Sequence, residues 1–234
     1  MSTCTRQFDR RNPILLIHGL DGSRCAFRRM LPDLMESGWK VYSLDLVPND
    51  GGAKLEYLAE QVADYIAQTF APRQAIDIVG YSMGGIVGQY YIQNLGGIDR
   101  VQRLITLSTP HAGSWCAYLR NNAGCQQLRP NSAFLKQLNQ RSEMLKHLNF
   151  TAIWSPFDVL TMPISRSQWV VDRSVQINVL RHKRIPSDSR IFQAVMDALL
   201  EPHQDKSQAL TRSTSAVFST QEQTSSEVLA GAIS

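Results

Sequence analysis

Ala75-Ile76-Asp77-Ile78-Val79-Gly80-Tyr81-Ser82-Met83-Gly84-Gly85-Ile86-Val87-Gly88 is the stretch on which the architecture turns. Its first five residues are a short, mostly apolar run of branched side chains, the pattern of a strand buried on both faces. Helical spacing takes over from Ile86 to Asn94. Between them stands G-x-S-x-G, which places a serine at a sharp strand-to-helix turn. Such a turn strains the serine backbone and needs nearly bare neighbours. Gly80 and Gly84 supply that room, and Gly85 and Gly88 let the helix approach the sheet. A glycine-rich turn with an incidental serine is the competing reading, and the strand before and helix after outweigh it.

Outward from this unit, short apolar runs alternate with longer helical stretches, the sequence form of βαβ units. Strands are expected at Pro13–Ile17, Lys40–Leu46, Leu104–Leu107, Phe150–Trp154 and Val175–Leu180. Leu55, Leu58, Val62, Ile66 and Phe70 mark an amphipathic helix that Pro72 helps to stop. Phe27–Ser37 contains Pro32, so a helix there should kink or begin late. Ser187–Leu200 reads as the closing helix. The expected fold class is α/β: a mostly parallel central sheet with helices on both faces, carried by residues 1–202. Ser, Thr and Gln dominate beyond that point, and 203–234 is expected to be a disordered tail.

Composition narrows the function classes. Of 234 residues, 43% are hydrophobic, enough for a substantial core. The formal net charge of +4 is scattered, with no dense basic tract of the kind that binds nucleic acid. Cys4, Cys25, Cys116 and Cys125 form no CxxC site. Cys116 and Cys125 could close a small loop, but reduced thiols are the stronger expectation. The first ten residues lack an apolar signal core, and no run is long enough to span a bilayer. A cytoplasmic, soluble protein is the expectation.

A serine hydroxyl becomes a useful nucleophile only beside a base that a carboxylate orients. Both partners are sought after the serine in chain order. His203 falls in the tail, and His147 has polar neighbours that suit a surface residue. His111 precedes every plausible acid. His182 follows the last expected strand and precedes the closing helix, so it is the favoured base. It lies in a basic run, Arg181-His182-Lys183-Arg184. Asp158, just past the strand ending at Trp154, is the favoured acid because open α/β sheets place their sites at the carboxyl edge of the strands. Asp172 and Asp45 are the rivals. A tetrahedral intermediate also needs N–H donors. The Met83 amide follows the nucleophile, and the Leu20 amide lies in the early loop His18-Gly19-Leu20-Asp21-Gly22. His18 itself reads as a structural histidine that orders this loop.

These segments, together with Ser108-Thr109-Pro110-His111-Ala112-Gly113-Ser114 and Leu128-Arg129-Pro130-Asn131-Ser132-Ala133-Phe134-Leu135, resemble the small α/β-hydrolase lipases and esterases of the class-2 triacylglycerol lipase kind. The resemblance runs from about residue 13 to 200. It implies an α/β-hydrolase fold and hydrolysis of carboxylic esters through an acyl-serine intermediate, with Ser82, Asp158 and His182 as the triad. A thioesterase or acyltransferase would share every catalytic part, and a non-catalytic binding protein on the same scaffold is the reading from another class. No cofactor and no metal is implied, since neither HExxH nor a carboxylate cluster occurs. Bacterial members are mostly secreted, and the missing signal points instead to an intracellular lipid or small-ester substrate. Residues 111–148 form a cap or site wall, or else extra core. As a cap they would bring Trp115 and Phe134 into an acyl pocket. Arg24, Arg28 and Arg29 could meet anionic headgroups in transient contact with a membrane, or form a solvated helix face. Oligomeric state is left open.

Overall fold

A computed structural model describes residues 11–161 and 171–202. The expected tail, with His203, lies outside the described residues, as does Cys4. Six strands form one sheet: β1 (Ile14–Ile17), β2 (Val41–Leu44), β3 (Ile76–Tyr81), β4 (Val101–Leu107), β5 (Asn149–Trp154) and β6 (Arg173–Gln176). The order is β2-β1-β3-β4-β5-β6 and every pairing is parallel. The chain leaves β1 toward β2 and leaves β3 toward β4, so the loops after these two neighbours diverge. Such a point of reversal opens a crevice at the carboxyl edge of a parallel sheet.

Alternation along β1 shows why both faces must be covered. Leu15 and Ile17 belong to one apolar cluster, with Leu55, Leu58, Val62 and Ile66 of α2 (Leu55–Thr69) and Ile86 and Ile92 of α3 (Met83–Asn94). Ile14 and Leu16 belong to the other, with Met30 and Leu34 of α1 (Met30–Glu36) and Ile191, Val195 and Leu199 of α6 (Ser189–Leu200). Helices α4 (Ala123–Gln127) and α5 (Ala133–Gln140) lie between β4 and β5. Among the described residues no helix is long and apolar enough to cross a membrane.

Pro32 occupies the first turn of α1, where an N–H has no intrahelical acceptor to lose. The last strand is shorter than expected. Ile177 still donates to the Trp154 carbonyl, but β5 ends there. Val179 is instead tied through its N–H and C=O to the Ser155 hydroxyl, at 3.0 and 2.9 Å.

Candidate active site

Ser82 occupies the bend between β3 and α3 with φ 55° and ψ −125°. For a residue with a Cβ this conformation costs roughly 1–3 kcal/mol and persists only where the surroundings enforce it. Here the Ser82 N–H donates to the Leu107 carbonyl at 2.8 Å, and the Ser82 carbonyl accepts from Gly85 at 3.1 Å. The turn also needs bare glycine where α3 meets β1: a Cβ on Gly84 would stand 2.2 Å from the Ile17 carbonyl oxygen.

Ser82, His182 and Asp158 stand in one hydrogen-bonded line. The Ser82 Oγ lies 2.9 Å from His182 Nε2, and His182 Nδ1 lies 2.6 Å from Asp158 Oδ2. A carboxylate only accepts, so Nδ1 carries the proton and Nε2 is left to accept from the serine hydroxyl. Asp158 is 1% exposed. Its Oδ1 accepts from the Leu160 N–H at 3.2 Å, which fixes the carboxylate in the turn after β5. The His182 ring stacks on Tyr81, with centroids 4.9 Å apart, and the Tyr81 hydroxyl donates to the His182 carbonyl at 3.0 Å. Burial, and then the nearby Asp158 charge, push the Tyr81 phenol well above its ordinary value, so it stays a neutral donor.

The loop after β1 meets the same point. A Cβ on Gly19 would fall 2.7 Å from the Ser82 Cβ, so only glycine lets this loop approach so closely. His18 orders the loop from behind: its Nε2 accepts from the Leu46 N–H at 2.9 Å, and its Nδ1 donates to the Gly19 carbonyl at 2.8 Å. Desolvation lowers its pKa, although the Gly19 bond and Asp45 act the other way. Asp21, at φ 53°, closes the loop by donating its N–H to the Asn49 carbonyl. Its carboxylate is held by Arg120 at 2.9 and 2.6 Å. Among the described residues no hydrogen bond engages the Leu20 or the Met83 amide. Met83 is the first residue of α3, where N–H groups are left without intrahelical partners. Two free donors flanking a hydroxyl can receive the charge that builds on a carbonyl oxygen under attack.

A cavity of about 610 Å³ opens over Ser82 and His182. Its apolar wall includes Leu20, Met83, Ala117, Leu119, Leu128 and Leu160. Trp115 and Phe134, expected in this wall, are elsewhere. Phe134 is buried in the core, stacked on Tyr90 at 5.7 Å, because the apolar stripe of α5 packs inward with Leu135 and Leu138. Trp115 is 56% exposed and stacks on Tyr118, while its neighbours Cys116 and Ala117 turn to the cavity. The insertion thus supplies wall from its first half and core from its second. Cys116 and Cys125 are free thiols on the cavity wall.

The rival candidates have other occupations. His111 is buried between Gln89, at 2.9 Å from Nδ1, and Thr106, at 3.1 Å from Nε2. His147 is exposed. Asp172 accepts from the Phe150 N–H where β5 begins, at the opposite edge of the sheet. Asp45 pairs with Arg24 at 3.1 Å. Among the described residues no three His, Cys, Asp or Glu side chains are grouped to hold a metal ion.

Sequence reasoning missed two contributors: Tyr81, at the unconstrained position of the motif, and Arg120, which reaches Asp21 in the Leu20 loop from 99 residues away. An aromatic before the motif's serine is the one available hint for the first, and nothing local signals the second.

The strained Ser82 turn, the sheet order and the close second loop define the α/β hydrolase fold, and the model of that family matches residues 12–151. The chain belongs to this family. Solved structures agree on the fold. Aspergillus fumigatus lipase B aligns with a TM-score of 0.68 at 19% identity, over 85% of this chain and 55% of that one. Bacillus licheniformis lipase BlEst2 in its propeptide form gives 0.62 at 19%, over 82% and 51%. Paleococcus ferrophilus monoacylglycerol lipase gives 0.62 at 15%, over 81% and 95%. The chain spans about half the length of the first two of these.

Proposed function

We propose that the protein is a serine carboxylic-ester hydrolase of the lipase or esterase type, acting through an acyl-serine on lipid or other acyl-ester substrates. One observation carries this reading: Ser82, His182 and the buried Asp158 are joined at 2.9 and 2.6 Å, with Ser82 and His182 lining a largely apolar cavity. The Ser82 hydroxyl attacks the ester carbonyl while His182 Nε2 takes its proton, and Asp158 stabilises the imidazolium so formed. The Leu20 and Met83 amides hold the oxyanion, each worth about 3 kcal/mol in such sites. The alcohol leaves with the proton from His182. Water, deprotonated by the same nitrogen, then releases the acid.

The cavity favours an acyl chain over a charged side chain on the acyl side. Leu119, 84% exposed, and Leu160, 43% exposed, carry its apolar wall out to the surface, where a lipid aggregate would meet it. The test is labelling with a fluorophosphonate probe followed by a panel of acyl chain lengths. Labelling of the wild type and none of Ser82→Ala is expected. Equal labelling of both would remove Ser82 as the nucleophile.

A further inference from the structure

A second cavity, of about 480 Å³, adjoins the first, and its wall is mostly cationic. Arg28 and Arg29 reach it from the segment leading into α1, Lys183 and Arg184 from the turn after His182, and Arg190 from the first turn of α6. The lone carboxylate on this wall, Asp188, is held by Arg190 at 2.8 and 3.0 Å. Among the described residues, Arg28, Arg29, Lys183 and Arg184 have no carboxylate within ion-pair distance. Arg24, grouped with them in the sequence, turns to Asp45 instead.

These four charges sit on anchored backbone. Phe27 and Met30 are buried on either side of Arg28 and Arg29, and Ile185 and Pro186 follow Arg184 into the core. Like charges held around one concavity repel, and an anion placed among them relieves that repulsion. Charges that are scattered along a sequence of formal net charge +4 are gathered by the fold here, five cations and one carboxylate on one wall. Lys183 borders both cavities, and the residue before it is His182.

We infer that the basic cavity takes a phosphate monoester carried on the alcohol side of the ester substrate, with the acyl chain in the apolar cavity and the scissile carbonyl over Ser82. This rests on the hydrolase reading above and names its substrate class. Guanidinium groups from separate segments suit a dianion with three acceptor oxygens better than a single carboxylate, which one Arg can satisfy. A concavity sharing Lys183 with the catalytic cavity suits a group on the substrate better than a flat anionic surface. The phosphate takes no part in bond making: the ester C–O bond breaks, water supplies the hydroxyl of the acid, and the phosphorylated alcohol leaves with one proton.

The test compares 1-butyrylglycerol 3-phosphate with 1-monobutyrin, which differ only by the phosphate. The wild type should favour the phosphorylated ester by about tenfold in kcat/KM, the scale of a charge-assisted contact to a phosphate. Arg28→Gln with Arg29→Gln should bring that ratio to near one while leaving monobutyrin turnover unchanged. Arg184→Gln, on a different segment, carries the same expectation if the double variant does not fold. No preference in the wild type, or a preference that survives both variants, overturns the proposal. If the wild type neither hydrolyses monobutyrin nor takes the fluorophosphonate, the hydrolase reading fails by itself. Calorimetric titration with glycerol 3-phosphate then decides the basic cavity: binding lost in the double variant supports it, and no binding to the wild type overturns it. Should the double variant lose only its sedimentation with phosphatidylglycerol vesicles, with the soluble-ester ratio intact, the cavity serves a surface and the substrate assignment falls.

Discussion

His111 and His182 both follow strands of the same parallel sheet, and both have their two ring nitrogens engaged. Their surroundings differ in two respects. His111 is sealed in the core between a carboxamide and a hydroxyl. His182 lies between a carboxylate and a hydroxyl, at the edge of a cavity. Hydrogen bonding alone therefore does not mark a reactive histidine. A neutral carboxamide has no charge with which to stabilise an imidazolium, and a sealed site admits no substrate whose proton could be moved. The two regions predict opposite responses to substitution, one in rate and the other in stability.

The largest contrast lies in turnover. Ser82→Ala and His182→Ala should each lower kcat by at least about 10⁴-fold, and Asp158→Asn by about the same factor because the favoured tautomer is lost. Far-ultraviolet circular dichroism should show all three folded. His111→Gln should keep kcat within a few-fold and lower the melting temperature instead. Esterase assays with a chromogenic butyrate decide it, and a His111 variant as inactive as the His182 variant would erase the distinction.

A smaller effect is expected from the loop that faces the serine. Gly19→Ala places a methyl group 2.7 Å from the Ser82 Cβ, so the loop bearing the Leu20 amide must retreat. The loss of one aligned donor should lower kcat by about 10²-fold with little change in KM. A rise in KM with kcat intact would show that Leu20 binds substrate without serving the transition state.

The fold was far more legible than the walls of the site. The inner strands β1, β3, β4 and β5 announce themselves as apolar runs because a parallel sheet covered on both faces leaves little polar alternation to confuse them. The edge strand β6, Arg173-Ser174-Val175-Gln176 with alternate side chains exposed, instead lies earlier than the expected Val175–Leu180. Ser82, Asp158 and His182, which the structure brings into one hydrogen-bonded line, could be singled out because each follows an apolar run that the sequence shows. The insertion at 111–148 could not be apportioned, since α5 shows the same amphipathic stripe whether its apolar face meets a cavity or α3. The basic cavity was invisible for a different reason. Arg28 and Arg29 stand some 150 residues from Lys183 and Arg184, and only the tertiary fold makes them one group.

Phe134 sharpens the division between wall and core. Phe134→Ala should cost about 3 kcal/mol of stability, the usual price of an aromatic removed from a packed core. It should leave the preference among acyl chain lengths unaltered. Leu119→Ser, on the cavity wall, should raise KM for long-chain esters a few-fold and spare acetates. Thermal melts and a chain-length panel separate the two. A Phe134 variant that melts normally yet loses only long-chain activity would return that ring to the acyl pocket.

The smallest effect is a matter of pH. Burial drives the pKa of His111 down to about 3, whereas in the unfolded chain it lies near 6.5. On acidification the unfolded state therefore takes up the proton first. The stability that neutral His111 provides is fully present above about pH 6.5 and drains away as pH falls toward 3, about 2 kcal/mol of it by pH 5. His18, lowered chiefly by burial, acts in the same sense. Asp77 opposes them. Burial, against the pull of Arg103 and Asn12, raises its pKa to about 6, so the folded state protonates first and stability is gained as pH falls from about 6 toward 4. The whole-protein profile thus mixes both signs, and a difference between two proteins isolates one. His111→Gln cannot take up the proton, so the gap between wild type and variant in urea unfolding should narrow by about 2 kcal/mol between pH 7 and pH 5. A gap of constant width would mean that His111 titrates alike in both states, and its seclusion from solvent would no longer distinguish it from His182.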